Sequence, residues 1–222
     1  KEGDLLTGQS ETVALFRTGP HASSFNDAGQ LLFVADLNGP TATDHAVYLD
    51  DQLLAQEGGA SPVTGRNWSS LSGAAVGLNN CGETVLSGSL DGDSASNSLL
   101  VKNGTKFMQE GDSLAAIAPF TFTSFGTGPL CIGENGSVLW YGDWNDPDTD
   151  KDTGLFLDGT LVPLPEFLVL GLPTSATGDL DVSVIFPAGV PPGFEILTQF
   201  WVTDGGGPAG FAASNALSGT TG

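Results

Sequence analysis

The densest chemistry in the chain lies in the run DWNDPDTDKD, Asp143 to Asp152, which sets Asp146, Asp148, Asp150 and Asp152 at alternate positions. Carboxylates at that density are hard oxygen ligands, and Ca²⁺ takes roughly six to eight such ligands in flexible geometry. The run has neither the central Gly nor the distal Glu of an EF-hand loop, so a Ca²⁺ site here would be of another design. The alternative is a solvated acidic connection, like the milder ones at Asp36 to Asp44 and Asp91 to Asp93. Trp68, Tyr141 and Trp144 are the candidate ligand-binding residues, because an aromatic face stacks on the apolar face of a sugar ring. Trp144, beside the acidic run, is expected to be the best exposed of them. Trp140 and Tyr141 are neighbours on a strand and must point to opposite faces. Core packing is the competing reading for every one of these aromatics.

Other chemistries find little to work with. His21 and His45 are the two histidines; each sits in a connection and is expected at the surface, and no Gly-x-Ser-x-Gly elbow accompanies them. Cys81 and Cys131 have no CxxC spacing and make a poor zinc set with two histidines; they form either one disulfide or two buried free thiols. Glu57, Glu110 and Glu166 recur at one repeat position beside turns. Equivalent acids repeated in this way suit a turn-stabilising role better than a pair of glycosidase carboxylates. The expectation is a protein that is not an enzyme.

These residues must be positioned by a chain of 222 residues with 26 acidic and 6 basic side chains, a formal charge of −20. Such a field repels phosphate backbones, so nucleic acid is excluded as a partner. Only 14% of residues are charged and 32 are Gly, a balance that favours turns and short strands over helices. No stretch approaches the roughly 18 consecutive apolar residues of a membrane-spanning helix.

The main signal is a repeat. Phe25 to Gly58 laid over Leu78 to Gly111, a shift of 53 residues, gives eight identities in 34 positions without a gap. FNDAGQLLFVADLNG aligns with LNNCGETVLSGSLDG, and AVYLDDQLLAQEG with LLVKNGTKFMQEG. A third copy reads ENGSVLWYGDW and then TGLFLDGTLVPLPE. Each copy predicts a turn at Gly29, Gly82 or Gly136, an alternating strand, an acidic connection, and a second strand. A tight turn at Asp50-Asp51, Asn103-Gly104 or Asp158-Gly159 and a third strand complete it. The apolar stretches TVALFRTG, NWSSLSGAAVGL and FTFTSFGTGPLCI supply a fourth strand, which makes a blade-sized unit.

The predicted fold is therefore all-β: tandem four-stranded blade-like repeats over 1–165, followed by a small β-sandwich-like unit over 166–222. Within the array, a partial repeat at 1–24 precedes copies at about 25–77, 78–130 and 131–165. In the terminal unit, alternation around Val182 to Phe186 and Phe194 to Ile196, then Leu197 to Val202 and Gly210 to Ala213, predicts four strands, with Phe200 and Trp201 in their core.

The Asn-x-x-Gly strand, acidic loop and Glu-Gly-Asp pattern, together with the tail TQFWVTDGGGPAGFAASNAL, resembles secreted proteins of environmental bacteria such as planctomycetes and myxobacteria, which carry propeller-like tandem repeats. The resemblance implies an extracellular or cell-surface location and transfers no catalytic residue. The expected function is a non-catalytic structural or adhesive protein that associates with itself or with other surface proteins through β-edge contacts. The alternative is a polysaccharide-binding module, dependent on Ca²⁺ through Asp146 to Asp152.

Overall fold

The computed structural model describes residues 1–18, 21–126, 128–162, 195–199, 201–203, 211–213 and 217–220. The chain divides into two compact units, Lys1–Pro165 and Glu166–Gly222. Among the described residues there is no α-helix, only a single 3₁₀ turn at Ser94–Ser96, and strands make up the rest of the regular structure.

The first unit is built from three five-stranded antiparallel sheets of one design. The first holds β1 (Val13–Phe16), β2 (Ser23–Phe25), β3 (Leu31–Leu37), β4 (His45–Leu49) and β5 (Gln52–Gln56). The second holds β6 (Trp68–Ser70), β7 (Val76–Leu78), β8 (Thr84–Leu90), β9 (Ser98–Lys102) and β10 (Thr105–Gln109). The third holds β11 (Phe122–Ser124), β12 (Leu130–Ile132), β13 (Val138–Trp144), β14 (Thr153–Leu157) and β15 (Thr160–Leu161). In each, the seven-residue strand takes two short strands along one side. β3 pairs β1 through Val13↔Leu37 and Phe16↔Ala35, and β2 through Ser23↔Phe33 and Phe25↔Leu31. The expected fourth strand is thus one strand in two pieces. It belongs to the sheet that follows it in sequence, and residues 1–12 lead into the first sheet.

The lead-in is itself a repeated device. Gly3 N donates to Val13 O, Gly58 N to Trp68 O and Gly111 N to Phe122 O at 2.7–2.8 Å. All three glycines have positive φ, between 76° and 89°, a region costly for any residue with a Cβ. The Glu-Gly signature is therefore a hook that joins the start of each lead-in to the first strand of the sheet it leads into.

The sheets stack face to face in sequence order. Leu32, Val34, Val47 and Ala55 of the first sheet meet Trp68, Leu86, Leu90, Leu99 and Val101 of the second. Val85, Leu100 and Met108 on the other face of the second meet Phe122, Val138, Trp140, Trp144 and Phe156 of the third. Each sheet so packed shows both faces apolar, which is why Leu99, Leu100 and Val101 are all buried in succession. Burying one such side chain contributes about 1.5–3 kcal/mol. Trp140 is the largest fully buried side chain among the described residues; it stacks on Phe156 with ring centroids 4.5 Å apart and donates Nε1–H to Asp158 O at 2.6 Å.

In the second unit, β16 (Glu195–Thr198) pairs antiparallel with β19 (Leu217–Thr220), and β17 (Trp201–Thr203) with β18 (Phe211–Ala213). The strand expected around Val182 to Phe186 and the side chains of Phe200 and Trp201 lie outside the described residues.

Candidate functional site

The aromatics expected to bind ligand sit differently from one another. Trp68 and Trp144 are core residues, 3% and 6% exposed, so the expectation of an exposed Trp144 is corrected. Trp68 faces Leu90 and Trp144 faces Phe122 across their sheets, where Val13 faces Leu37 in the first. The repeat thus puts a large apolar pair at this place each time. Tyr141 is half-buried and points away from Trp140, with its ring against Gly126 and Gly128. Cys81 and Cys131 are both exposed free thiols, one in the β7–β8 turn and one on the outward side of β12, so the structure holds neither a bridge nor buried thiols. Two carboxylates of the acidic run, Asp146 and Asp148, are engaged along their own loop. Asp146 Oδ1 accepts from Asp148 N, Asp148 Oδ1 from Asp150 N, and Asp148 Oδ2 from Lys151 Nζ at 2.6 Å. The Lys151 ammonium holds the Asp148 carboxyl below its usual range, and Asp148 in turn raises Lys151. Asp152 contributes its carbonyl, which accepts from Trp144 N.

The sequence placed His45 at the surface, but its side chain is only 12% exposed and stands among three carboxylates. Its Nδ1 lies 3.2 Å from Glu57 Oε2 and 2.7 Å from Asp44 Oδ1, and its Nε2 3.6 Å from Asp36 Oδ2. Asp44, His45 and Glu57 bring one ligand atom each within 4.8 Å of one another, a spacing that a divalent ion can bridge and that a histidine held between acids also satisfies. Adjacent Asp44 and His45 meet Glu57 because β4 and β5 form a hairpin with Ala46 opposite Gln56. That register was the available sequence signal. Glu57 Oε1 also accepts from Leu71 N at 2.6 Å, so the acid ties the first sheet to the second. Its counterpart Glu110 accepts from Asn97 N and Ser98 N at 3.0 and 3.1 Å within the second sheet.

The residues that recur most faithfully are spent on joining and closing the sheets. Asp50, Asn103 and Asp158 all have φ between 50° and 54°, and each side chain accepts from the first N–H of its long strand, Leu31, Thr84 or Val138, at 2.8 Å. The turns containing Gly29, Gly82 and Gly136 stack on one another. Asn26 Nδ2 donates to Asn79 O, 53 residues on, and Asn79 Nδ2 donates to Gly133 O, 54 residues on, both at 3.0 Å. A second rung runs beside it, from Asp27 N to Asn80 Oδ1 and from Asn80 N to Glu134 Oε2. Of the six basic residues, the five beyond Lys1 are all committed. Arg17 pairs with Asp36 and Lys106 with Asp112, and Lys102 donates to Gly136 O. Arg66 holds the 91–96 loop through Asp91 O, Asp93 O and Ser96 O, and Lys151 is bound to Asp148.

One open groove of about 310 Å³ runs beside the split strands of the second and third sheets, lined by Ser70, Ser72, Ser87, Ser89, Ser124 and Phe125 among others. Hydroxyls dominate it, so its chemistry suits a neutral polyhydroxyl ligand more than an ion.

Three stacked sheets of one design, joined by stacked turns, define an all-β repeat protein. The chain belongs to the family described as "Family of unknown function (DUF7453)", whose model matches residues 1–162. No curated protein and no solved structure matches the chain.

Proposed function

We propose that this chain is a non-catalytic structural or adhesive protein of the extracellular or cell-surface kind, whose repeated sheets form a scaffold that associates with copies of itself or other surface proteins. The observation that carries the reading is where the recurrent polar residues go. Asn26, Asn79, Glu57, Asp50, Asn103 and Asp158 satisfy backbone groups within and between sheets, the pattern of a sequence repeated to build a stack. The secreted character rests on the resemblance of the repeat and of the tail. The test is light scattering and negative-stain microscopy of the purified chain, with and without Ca²⁺. Regular polymers are expected, and a compact monomer in both conditions would refute self-association.

The serine-lined groove supports a second reading, a polysaccharide-binding module, in which the hydroxyls take the place of the buried tryptophans. Binding on a glycan array that Ser89→Leu abolishes by filling the groove would favour it, and loss of that binding to a chelator would add Ca²⁺. An array without signal would remove this reading.

A further inference from the structure

The two outer faces of the sheet stack are not alike, and comparison with the second sheet shows what each leaves exposed. Counterparts 53 residues apart on the face that each sheet turns toward its predecessor are Phe25 and Leu78, Leu31 and Thr84, Phe33 and Leu86, Tyr48 and Val101. In the second sheet all four are buried, between 3% and 8% exposed, and the apolar ones pack on the first sheet. In the first sheet the upper part of that face is covered: Leu6 and Phe16 pack on Phe33 and Tyr48, and the Tyr48 hydroxyl donates to Thr7 O. The lower part is bare, with Phe25 68%, Leu31 40% and Leu53 37% exposed. Phe25 lies directly opposite Leu31, and Leu53 opposite Tyr48, so the three belong to one face.

At the other end, Leu139 and Leu155 are the third sheet's counterparts of Val85 and Leu100, residues that the second sheet buries against its successor. Leu139 and Leu155 are half-buried, and Leu157, opposite Leu139, is 47% exposed. We infer that the bare face of the first sheet, at Phe25, Leu31 and Leu53, docks on the outer face of the third sheet of a second copy, at Leu139, Leu155 and Leu157, repeating between chains the contact made within one. This rests on the scaffold reading and names its partner and its faces. The contact is heterologous, so it propagates head to tail.

The turn ladder at this junction keeps one rung of two. Gly133 stands where Asn26 and Asn79 carry the donor amide, so the amide rung is lost. Glu134 N occupies the place of Asp27 N and Asn80 N and faces the carboxylate of Asp27 in the next copy. Apolar contact must therefore hold the junction, and association between chains is weaker than packing within one.

The test uses the full chain and two charge variants at exposed positions, Phe25→Asp and Leu157→Asp, with folding checked by circular dichroism. Sedimentation velocity over a concentration series should show the wild type growing into a ladder of oligomers and each variant alone staying monomeric. Mixed, the two variants should form a 1:1 heterodimer that grows no further, because each keeps the face the other lacks. If both variants polymerise as the wild type does, the inference fails while self-association through other contacts stands. A monomeric wild type overturns both, and variants that block growth but form no heterodimer overturn the inference.

Discussion

Replacing Asn79 by Ala should be one of the most costly single changes available at a turn of this protein. The side chain is 2% exposed and makes four hydrogen bonds: Oδ1 accepts from Cys81 N at 3.0 Å and Glu83 N at 2.9 Å, and Nδ2 donates to Glu83 Oε2 at 2.7 Å and Gly133 O at 3.0 Å. At a net ~0.5–1.5 kcal/mol for each of the three neutral bonds, with the carboxylate contact at the upper end, the loss is about 3–6 kcal/mol. For a chain of this size that corresponds to a melting point lower by roughly 6–24 °C. Asn135→Ala in the third turn is the control, since that exposed side chain accepts only from Ser137 N at 3.0 Å. Asn26→Asp removes the rung between repeats, the donor to Asn79 O, together with the donor to Gln30 Oε1 in its own turn, and keeps the acceptor for Gln30 N. Urea unfolding followed by tryptophan fluorescence reads all three as shifts in midpoint at constant slope. Asn79→Ala within about 0.5 kcal/mol of Asn135→Ala would refute the magnitude assigned to the Asn79 side chain, and an Asn26→Asp midpoint equal to wild type would refute the claim that the stacked turns couple one sheet to the next.

Other outcomes follow from packing and titration. Gly88→Ala puts a Cβ 2.7 Å from Leu71 Cδ2 and Trp68 Cζ3, an overpacking that should cost about 1–3 kcal/mol, whereas Ala35, its counterpart in the first sheet, already carries a methyl; equal stability of Gly88→Ala and wild type in urea would contradict this. Both cysteines should react with a thiol reagent in the native state, and Cys81→Ser should remove one of the two equivalents without shifting the melting point. Burial raises the Tyr48 phenol above its usual value, against a smaller lowering by the Gln9 hydrogen bond. A group whose folded pKa is raised gives stability that is present below the unfolded value and lost as pH rises through the folded one. Stability should therefore fall only as pH climbs beyond about 10, and a 295 nm titration of Tyr141→Phe should show Tyr48 ionising late, together with unfolding.

The period, the turns and the strand content were legible in sequence because they are local: alternation gives strands, and Gly or Asn at fixed offsets gives turns of positive φ. The partner of the fourth strand was not, since pairing β6 and β7 with β8 instead of with the strands before them is decided by the hook at Gly58, which acts ten residues ahead through the Gly58 N to Trp68 O bond. Trp144 reads as exposed in the sequence because its neighbours are acidic. Aligned with Leu90 and Leu37, it occupies a position that is apolar in every copy and buried each time. The His45 cluster was hidden for the opposite reason. Nothing repeats there: the second copy has Asn97 and Ser98 in place of Asp44 and His45, so a reading based on recurrence passes over it.

The hook also sets where this protein can be cut or lengthened. The stretch that repeats in sequence, starting at Phe25 or Leu78, opens in the middle of a sheet, so a gene fragment copied on those boundaries encodes a long strand parted from its first partner. A fragment running from one hook glycine to the next, Gly58 to Gly111, instead carries a whole sheet and its own connector. Units swapped, removed or added on the hook boundaries would therefore keep every strand pairing inside a sheet intact, and only the packing between sheets would have to be matched anew.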